Sequence, residues 1–337
     1  MDHPKFVIEA SEAETMAEKL GLKSVLHLLP TIVRSSQKLS RVPISNFAVA
    51  AAGLCADGRI FVGVNLEFPG LPLHHSVHAE QFLITNLSLY PQTRLKNVVV
   101  SAYPCGHCRQ FLQEIRGAPN IQILVLQNDG DNDKLDQING CPDDDRDASF
   151  KPLSYFLPHR FGPDDLLDKD VPLILEAQEN SLVLDADEIN ENGNLCNGFS
   201  ALEERELVSA ALEAANRSHA PYSGCPSGVA LIDDQGQIYK GSYMESAAYN
   251  PSMGPAQAAV IAYVAAGRGG GYEKIVGSVL VEKQGAVVKQ EDTVRRLYPY
   301  KYYCKQNIFY KHFIGLNVSG NYCYIKDSGN YMIRSSI

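Results

Sequence analysis

The sequence predicts an α/β protein made of two copies of one β-β-α-β-α-β unit, each a sheet covered by helices in an α-β-α sandwich, with the second copy degenerate. Three observations predict this fold. Strand-like and helical segments alternate in that order in the first half. Part of the second half repeats part of the first without gaps. The chain has 337 residues, 45% of them hydrophobic, which is enough for two domains of ordinary size.

The elements of the first copy follow from hydrophobic periodicity and turn residues. Two amphipathic helices are expected first, one from about Ser11, with Glu14 completing a capping box, and one over 23–36. A β-hairpin follows, with strands over 47–54 and 59–66 and with Gly58 able to take positive φ in its turn. The remaining expected elements are a helix over 78–89, a strand over 97–102, a helix over 105–115 and a strand over 121–126.

The second half repeats the first. Residues 57–67 align without gaps with residues 235–245, and Pro43-Ile44-Ser45 resembles Pro221-Tyr222-Ser223 at the same offset. Both halves then continue into a Pro/Ser loop and an Ala-rich helix. A repeat as long as a domain indicates a duplication and not a solenoid.

This organisation predicts four regions. The first copy occupies 1–126, an acidic loop and linker 127–202, the second copy 203–297, and a Tyr-rich tail 298–337. Residues 127–147 are acidic and rich in Gly and Asn, so they can bury little apolar surface. The tail shows no pattern for the closing strand of the second copy. We interpret it as an aberrant extension from read-through or splicing, the alternative being a specialised native extension.

Composition excludes several functional classes. With 30 Lys plus Arg against 39 Asp plus Glu, the net charge is −9, which disfavours an ordinary basic nucleic-acid binder. No apolar run approaches the roughly 20 residues of a membrane span, and the first residues lack the pattern of a signal peptide. Eight Cys are too few for a disulfide scaffold, so we expect reduced thiols and a cytoplasmic protein with neither nucleic-acid nor membrane partners.

Two short motifs carry the chemistry. His78-Ala79-Glu80 precedes Pro104-Cys105-Gly106-His107-Cys108 by one strand. One His and two Cys form a three-ligand zinc set whose fourth position stays open, as in catalytic sites, and Glu80 remains available for proton transfer. His78 and Glu80 are about 200° apart around a helix, so they face one site only if the helix points its first turn at that site. A C-x-x-C pair by itself could also be a redox pair or half of a structural zinc site, but a redox pair would require neither His78 nor Glu80.

The spacing matches the H-x-E … P-C-x-x-C signature of zinc deaminases that act on nucleobases. Over roughly 6–297 the chain resembles the duplicated, homodimeric cytidine deaminases of plants and bacteria. The motifs that carry the resemblance are Ser45-Asn46-Phe47, residues 63–68, Leu71-Pro72-Leu73, residues 77–81, residues 104–111, Phe161-Gly162-Pro163 and residues 247–251. The resemblance implies Zn²⁺ as cofactor, a homodimer, and conversion of cytidine and deoxycytidine to uridine and deoxyuridine in pyrimidine salvage.

The resemblance also implies roles for individual residues. Asn65 and Glu67 would bind the ribose hydroxyls, and Phe47 would pack against the pyrimidine, although Phe47 taken by itself better suits a core residue of a strand. We also expect Ala79 to contact the substrate. Tyr249, from the second copy, would reach the active site of the partner chain, unless it is simply a core or loop residue.

Other histidines lie close to the metal motifs. His107, between the two Cys, would moderate the charge of the thiolates by a hydrogen bond, unless its side chain merely faces solvent. His74 and His75 are close enough in sequence to compete as ligands, but neither begins a helix, so we assign them to a loop.

The second copy lacks the chemistry. At the constant offset, residues 78–80 face Ala256-Gln257-Ala258, and a shift by one residue gives Pro255-Ala256-Gln257, in either case without a His or an acid. Cys225, Cys304 and Cys323 are too far apart to form a C-x-x-C pair. We therefore expect this copy to bind no zinc and to serve as the architectural mimic of a second subunit.

The expected reaction is hydrolytic. Glu80 would take a proton from the attacking water, deliver it to N3 of cytosine and carry a second proton to the departing amino group. The alternatives are a deaminase of a nucleotide, of tRNA or of single-stranded DNA, and an inactive zinc-stabilised dimerisation scaffold. The net charge disfavours a polynucleotide, and Glu67 would repel the phosphate of a nucleotide.

Overall fold

The computed structural model describes residues 5–90, 93–126, 150–184, 201–267, 271–297, 309–317 and 325–326, the last two ranges and residue 201 by their backbone alone. The chain divides into two compact units. The first unit contains the described residues of Met1–Leu166 together with Leu173–Leu175 and Ser246–Pro251, and the second contains the remainder. The acidic segment expected over 127–147 lies outside the described residues.

The first unit contains one mixed sheet. Its elements in chain order are β1 Val7–Ile8, α1 Ala10–Lys19, α2 Leu29–Ser36, β2 Ala50–Cys55, β3 Ile60–Val64, α3 Ala79–Ser88, β4 Leu95–Val100, α4 Gly106–Phe111, β5 Gln122–Val125, β6 Lys151–Pro152, α5 Leu153–Phe156 and α6 Pro163–Leu166. The strands lie in the order β1-β3-β2-β4-β5-β6. Strands β4 and β5 are parallel, and the other neighbours are antiparallel. The predicted β-β-α-β-α-β order is therefore present from β2 to β5.

The two N-terminal helices differ in detail from the prediction. Helix α1 begins at Ala10 after Glu9, so Ser11 lies inside its first turn and does not cap it. The expected helix over 23–36 is a 3₁₀ turn at Val25–Leu28 followed by α2, whose first turn contains Pro30. Proline lacks the N–H that a continuous helix would use and fits a first turn, so the helix restarts there.

The close approach of α3 to the sheet depends on a glycine. Gly63 on β3 faces the start of α3, where a Cβ would collide with the carbonyl of Ala79 and the backbone nitrogen of Leu83. Buried aromatic rings pack beside this contact, with the Phe6 and Phe82 centroids 5.2 Å apart. The first turn of α3 is thereby fixed against the end of β3.

The second unit repeats this arrangement. Its elements in chain order are β7 Leu182–Val183, α7 Ala201–Asn216, β8 Ser227–Asp233, β9 Ile238–Ser242, α8 Pro255–Ala265, β10 Ile275–Lys283, α9 Glu291–Leu297, β11 Phe309–Asn317 and β12 Ile325–Lys326. The strand order is β12-β11-β10-β8-β9, with β7 paired to β11. Strands β10 and β11 are parallel, like β4 and β5.

Glycines also show that helices cover both faces of this sheet. Gly228 on β8 packs against α7, and Gly241 on β9 packs against α8. Gly241 pairs with Val229, the neighbour of Gly228, and successive residues of a strand point to opposite faces. Helices α7 and α8 therefore lie on opposite faces, as the predicted α-β-α sandwich requires.

The tail contributes a strand that its sequence pattern does not predict. Residues 309–315 pair in parallel register with β10 from Gly277 to Lys283, and β12 continues the sheet. This corrects the expectation that the second copy lacks a closing strand. Parallel pairing satisfies the backbone groups along the edge of β10, a long-range gain that a local pattern does not reveal.

The structure also corrects the alignment of the two copies beyond the hairpin. Gly63 packs against Ala79 and Leu83, and Gly241 packs in the same way against Pro255 and Ala259. The numbers of corresponding residues in the two helices therefore differ by two less than those of corresponding residues in the two hairpins. The reason is a loop of different length. A bridge between Leu66 and Val77 closes the loop in the first copy, and a bridge between Met244 and Met253 closes a shorter one in the second.

In this alignment Gly254 occupies the place of His78, and Ala256 that of Glu80. These positions of the helix therefore still offer no zinc donor, but the pairs of corresponding residues differ from those that the constant offset gives.

None of the helices in the described ranges combines the length and apolar character needed to cross a bilayer.

Candidate metal and catalytic site

The three expected metal ligands lie at the starts of two helices. His78 immediately precedes α3, and Cys105 immediately precedes α4, with Cys108 in the first turn of α4. The extended backbone at each of these capping positions directs the chain into the helix, and the partial positive charge of a helix N-terminus favours thiolates. Cys105 is exposed, whereas Cys108 is buried.

The separations between the three donor atoms fit a zinc ion. Nδ1 of His78 lies 3.4 Å from Sγ of Cys105 and 3.3 Å from Sγ of Cys108, and the two sulfurs are 3.8 Å apart. Tetrahedral coordination with ordinary zinc bond lengths requires about 3.8 Å between two sulfurs and about 3.6 Å between sulfur and nitrogen. Both cysteines are free. The donor set therefore fits Zn²⁺, with one coordination position left for a fourth ligand.

The electrostatics of these ligands favour deprotonated sulfur on Cys105. The contact with the Cys108 thiol, aided by His78 and opposed by partial burial, lowers the pKa of Cys105 to about 3. The same contact, together with burial, raises the pKa of Cys108. The contact with Cys105 raises the pKa of His78, and burial opposes that effect.

Glu80 lies in the first turn of α3, two residues after His78, and its side chain is 5% exposed. Burial raises the pKa of its carboxyl, against the opposing effects of hydrogen bonds and of His78. A carboxyl with a raised pKa takes up a proton more readily than an ordinary one and stays protonated to a higher pH, so it suits taking a proton and holding it for transfer. The carboxyl of Glu80 contacts the thiol of Cys108, so the first turn of α3 points at the donor cluster.

Phe47 does not lie in the core. The predicted strand over 47–54 begins only at Ala50, and Phe47 is 55% exposed in the turn that precedes it. Nδ2 of Asn65 donates to the carbonyl of Phe47 at 2.9 Å, and the amide of Val49 donates to Oδ1 of Asn65 at 2.9 Å. Asn65 therefore holds the chain on both sides of Ala48, leaving the ring of Phe47 free to contact a ligand.

Glu67 holds the turn at residues 43–45, just before Phe47. Its carboxylate accepts hydrogen bonds from the backbone of Ile44 at 2.8 Å, from the backbone of Ser45 at 3.1 Å and from the Ser45 hydroxyl at 2.5 Å. Partial burial opposes ionisation, but these hydrogen bonds outweigh it and lower the pKa of Glu67. A carboxylate offers about four acceptor positions, so one remains for a ligand hydroxyl.

The other predicted residues are placed as follows. Ala79 is fully buried against Gly63 as the first residue of α3. The His107 ring lies beside the His78 ring, with centroids 5.3 Å apart, and burial together with the charge of His78 lowers the pKa of His107. His74 and His75 belong to a 3₁₀ turn at Leu73–His75 outside the donor cluster.

Tyr249 lies in segment Ser246–Pro251, which belongs to the first unit of its own chain. Its side chain is 66% exposed and its φ is 61°, in the left-handed region, so it is not a core residue. Two buried side chains of the first unit bind this segment. Gln81 donates to the carbonyl of Pro251, and Glu114 accepts from the amide of Ala247. Gln81 and Glu114 are not among the site residues expected from the sequence, where only the position of Gln81 beside Glu80 indicates a role for the former.

Comparison with known proteins agrees with the site. Two family models, both described as the cytidine and deoxycytidylate deaminase zinc-binding region, match residues 24–125 and 153–295. Cytidine deaminase 1 of Arabidopsis thaliana is 56% identical over 88% of this chain and 94% of its own length.

Further relatives resemble the chain over similar lengths. Cytidine deaminase 6 of the same plant is 45% identical over 86% of this chain and 92% of its own length. Cytidine deaminase of Serratia proteamaculans (strain 568) is 32% identical over 88% of this chain and 87% of its own length. Together with the His, Cys and Cys donor cluster, these similarities show that the chain belongs to the zinc-dependent cytidine deaminase family.

Proposed function

We propose that this protein hydrolyses cytidine and deoxycytidine to uridine and deoxyuridine, releasing ammonia. The observation that carries the proposal is the buried carboxylate of Glu80, in the first turn of the helix that His78 begins, beside donors whose separations fit zinc. His78, Cys105 and Cys108 would hold zinc, whose Lewis acidity would make water acidic enough to ionise near neutral pH.

Glu80 performs the proton transfers in this proposal. It takes one proton from the attacking water and delivers it to N3 of the cytosine ring as the oxygen adds at C4. It then carries the second proton to the amino group, which leaves as ammonia, so that one water is consumed for each ammonia released. Burial supports this role because it raises the pKa of Glu80.

Phe47, Asn65 and Glu67 would bind the nucleoside. The exposed ring of Phe47 offers an apolar face for the pyrimidine. Asn65 retains a donor and Glu67 an acceptor beyond their bonds to the turn, which suits two ribose hydroxyls. A 5′-phosphate would meet the negative charge of Glu67, so a nucleoside is the better substrate.

We also propose a cytoplasmic homodimer that acts in pyrimidine salvage. In it Ala79 contacts the substrate, Tyr249 reaches the active site of the partner chain, and His107 moderates the charge of the thiolates. The thiols of Cys55, Cys105, Cys108 and Cys225 are free, which suits a reducing compartment. Salvage follows from the substrate class, since the reaction converts one nucleoside into another.

The test compares ammonia release from cytidine, deoxycytidine, cytidine 5′-monophosphate and a cytosine-containing oligonucleotide, each with and without a chelator. We expect turnover of the two nucleosides alone, abolished by the chelator and restored by zinc. Faster turnover of the monophosphate or the oligonucleotide would reject the nucleoside assignment. Stoichiometric zinc without ammonia release from any substrate would instead favour the inactive dimerisation scaffold.

A further inference from the structure

Segment Ser246–Pro251 is held on the first unit by two hydrogen bonds that buried side chains make. The amide of Ala247 donates to Oε1 of Glu114 at 2.7 Å, and Nε2 of Gln81 donates to the carbonyl of Pro251 at 2.9 Å. Glu114 is fully buried and Gln81 is 2% exposed. In such surroundings water cannot replace a lost partner, so both bonds constrain the segment strongly.

The amide of Gln81 also reaches the metal site. Its Oε1 accepts the backbone N–H of His78 at 3.4 Å, while its Nε2 binds Pro251. Gln81 directly follows Glu80 in the first turn of α3. One planar amide therefore joins the backbone of a zinc ligand to the carbonyl of the segment.

The segment itself has a defined conformation. Tyr249 adopts a φ of 61°, which is unfavourable for a residue with a side chain, and its amide donates to the carbonyl of Ser246 at 2.8 Å. Backbone strain of this kind persists only where the surrounding contacts determine the conformation. The segment is thus able to act as a fixed anchor for Gln81.

The second copy provides an internal comparison. Gln257 occupies in α8 the place of Gln81 in α3, and it is also buried, at 7% exposure. Gly254 stands there in the place of His78, and Ala256 in that of Glu80. A glutamine is therefore present at the third position of both helices, but only Gln81 lies beside a metal ligand.

We propose that Gln81 is a positioning residue, which couples the placement of segment Ser246–Pro251 to the backbone of His78 and so to the geometry of the zinc site. The proposal rests on the zinc site of the proposed function, but not on the identity of the substrate. Side chains that orient metal ligands typically contribute about 10- to 100-fold to metal affinity or activity.

The experiment measures zinc release from the full-length protein to a chromogenic chelator, with melting temperature recorded in parallel. The main variant is Gln81→Met, which keeps the length of the side chain and removes both hydrogen bonds. Gln257→Met is the matched control for the loss of a buried glutamine. Glu114→Leu removes the other anchor of the segment without touching a ligand, and Glu114→Gln retains an acceptor for Ala247.

We expect Gln81→Met to release zinc at least about tenfold faster than the parent and Gln257→Met to release it at the parental rate. Glu114→Leu should also accelerate release, and Glu114→Gln should not. The double variant Gln81→Met/Glu114→Leu should show less than the product of the two single effects, because both act through one segment.

Three outcomes would overturn the proposal: release from Gln81→Met within twofold of the parent, equal acceleration in Gln257→Met, or parental release from Glu114→Leu. If Gln81→Met does not fold, the comparison of zinc release between Glu114→Leu and Glu114→Gln tests the proposal by itself. A parent protein that binds no zinc would refute the metal site, whereas a parent that binds zinc but does not deaminate cytidine would refute only the proposed function.

Discussion

Glu67 and Glu245 make the same set of hydrogen bonds in the two copies. Glu67 binds the backbone of Ile44 and Ser45 and the hydroxyl of Ser45, and Glu245 binds the backbone of Tyr222 and Ser223 and the hydroxyl of Ser223. The turns also agree in their left-handed residue, Asn46 with φ 56° and Gly224 with φ 61°. Since the helix start of the second copy lacks zinc donors, this carboxylate has a structural role that is independent of catalysis.

Comparing the two carboxylates distinguishes the structural role of Glu67 from its role in substrate binding. We expect Glu67→Gln and Glu245→Gln each to lower the free energy of unfolding by about 1–2 kcal/mol, because each replaces charge-assisted hydrogen bonds to a turn. Only Glu67→Gln should raise KM for cytidine. Urea unfolding and steady-state kinetics on both variants test this expectation, and an equal rise of KM in Glu245→Gln would contradict it.

The stabilisation by Glu67 should depend on pH. Because the pKa of Glu67 is lowered in the folded state, its contribution is complete above the ordinary value of 4.5 and is lost as the pH falls through the lower folded-state pKa. We expect the difference in unfolding free energy between the parent and Glu67→Gln to shrink below about pH 4.5. A difference in unfolding free energy that grows on acidification would contradict this expectation.

Glu80→Gln should retain zinc and lose turnover. The amide is nearly isosteric with the carboxyl but cannot carry protons, and general acid or base catalysis contributes about 10²- to 10⁴-fold. Because one residue serves several proton transfers, we expect a loss of kcat at or above the top of that range. Metal content and kcat are the measurements, and turnover within tenfold of the parent would remove Glu80 from the mechanism.

Cys105→Ala and Cys108→Ala should each lose zinc and lower the melting temperature, since a metal that binds only the folded state contributes its binding free energy to folding. Cys225→Ala removes another buried thiol, which does not belong to the donor cluster of the described residues, and serves as the control. Metal content after dialysis is the measurement that tests this ligand set. Full retention of zinc in both ligand variants would require another donor set, with His107 the first residue to test.

A chain that ends at Leu297 should keep zinc but lose stability. All three proposed ligands lie in the first unit, whereas β11 and β12 would be removed and β10 would lose its parallel partner. We expect a lower melting temperature and more aggregation than in the full-length protein, because an unpaired strand edge is exposed. An unchanged melting temperature would show that β11 does not stabilise the sheet.

The sequence by itself determined the duplicated fold and the candidate chemistry. His78, Glu80, Cys105 and Cys108 lie in short motifs at helix starts, so their spacing along the chain already implies their grouping in space. Gly63 and Gly241 likewise belong to the part of the repeat that aligns without gaps. Such features are local, and residue type together with periodicity reveals them.

Only the tertiary structure decided the long-range relationships. The shorter loop closed by Met244 and Met253 changes which residues of α3 and α8 correspond, and no ungapped alignment contains that change. The pairing of β11 with β10, and the bonds from Gln81 to Pro251 and from Glu114 to Ala247, join residues far apart in sequence. Contacts of this kind depend on where the backbone passes after folding, and the residues that make them carry no periodic or spacing signal of their own.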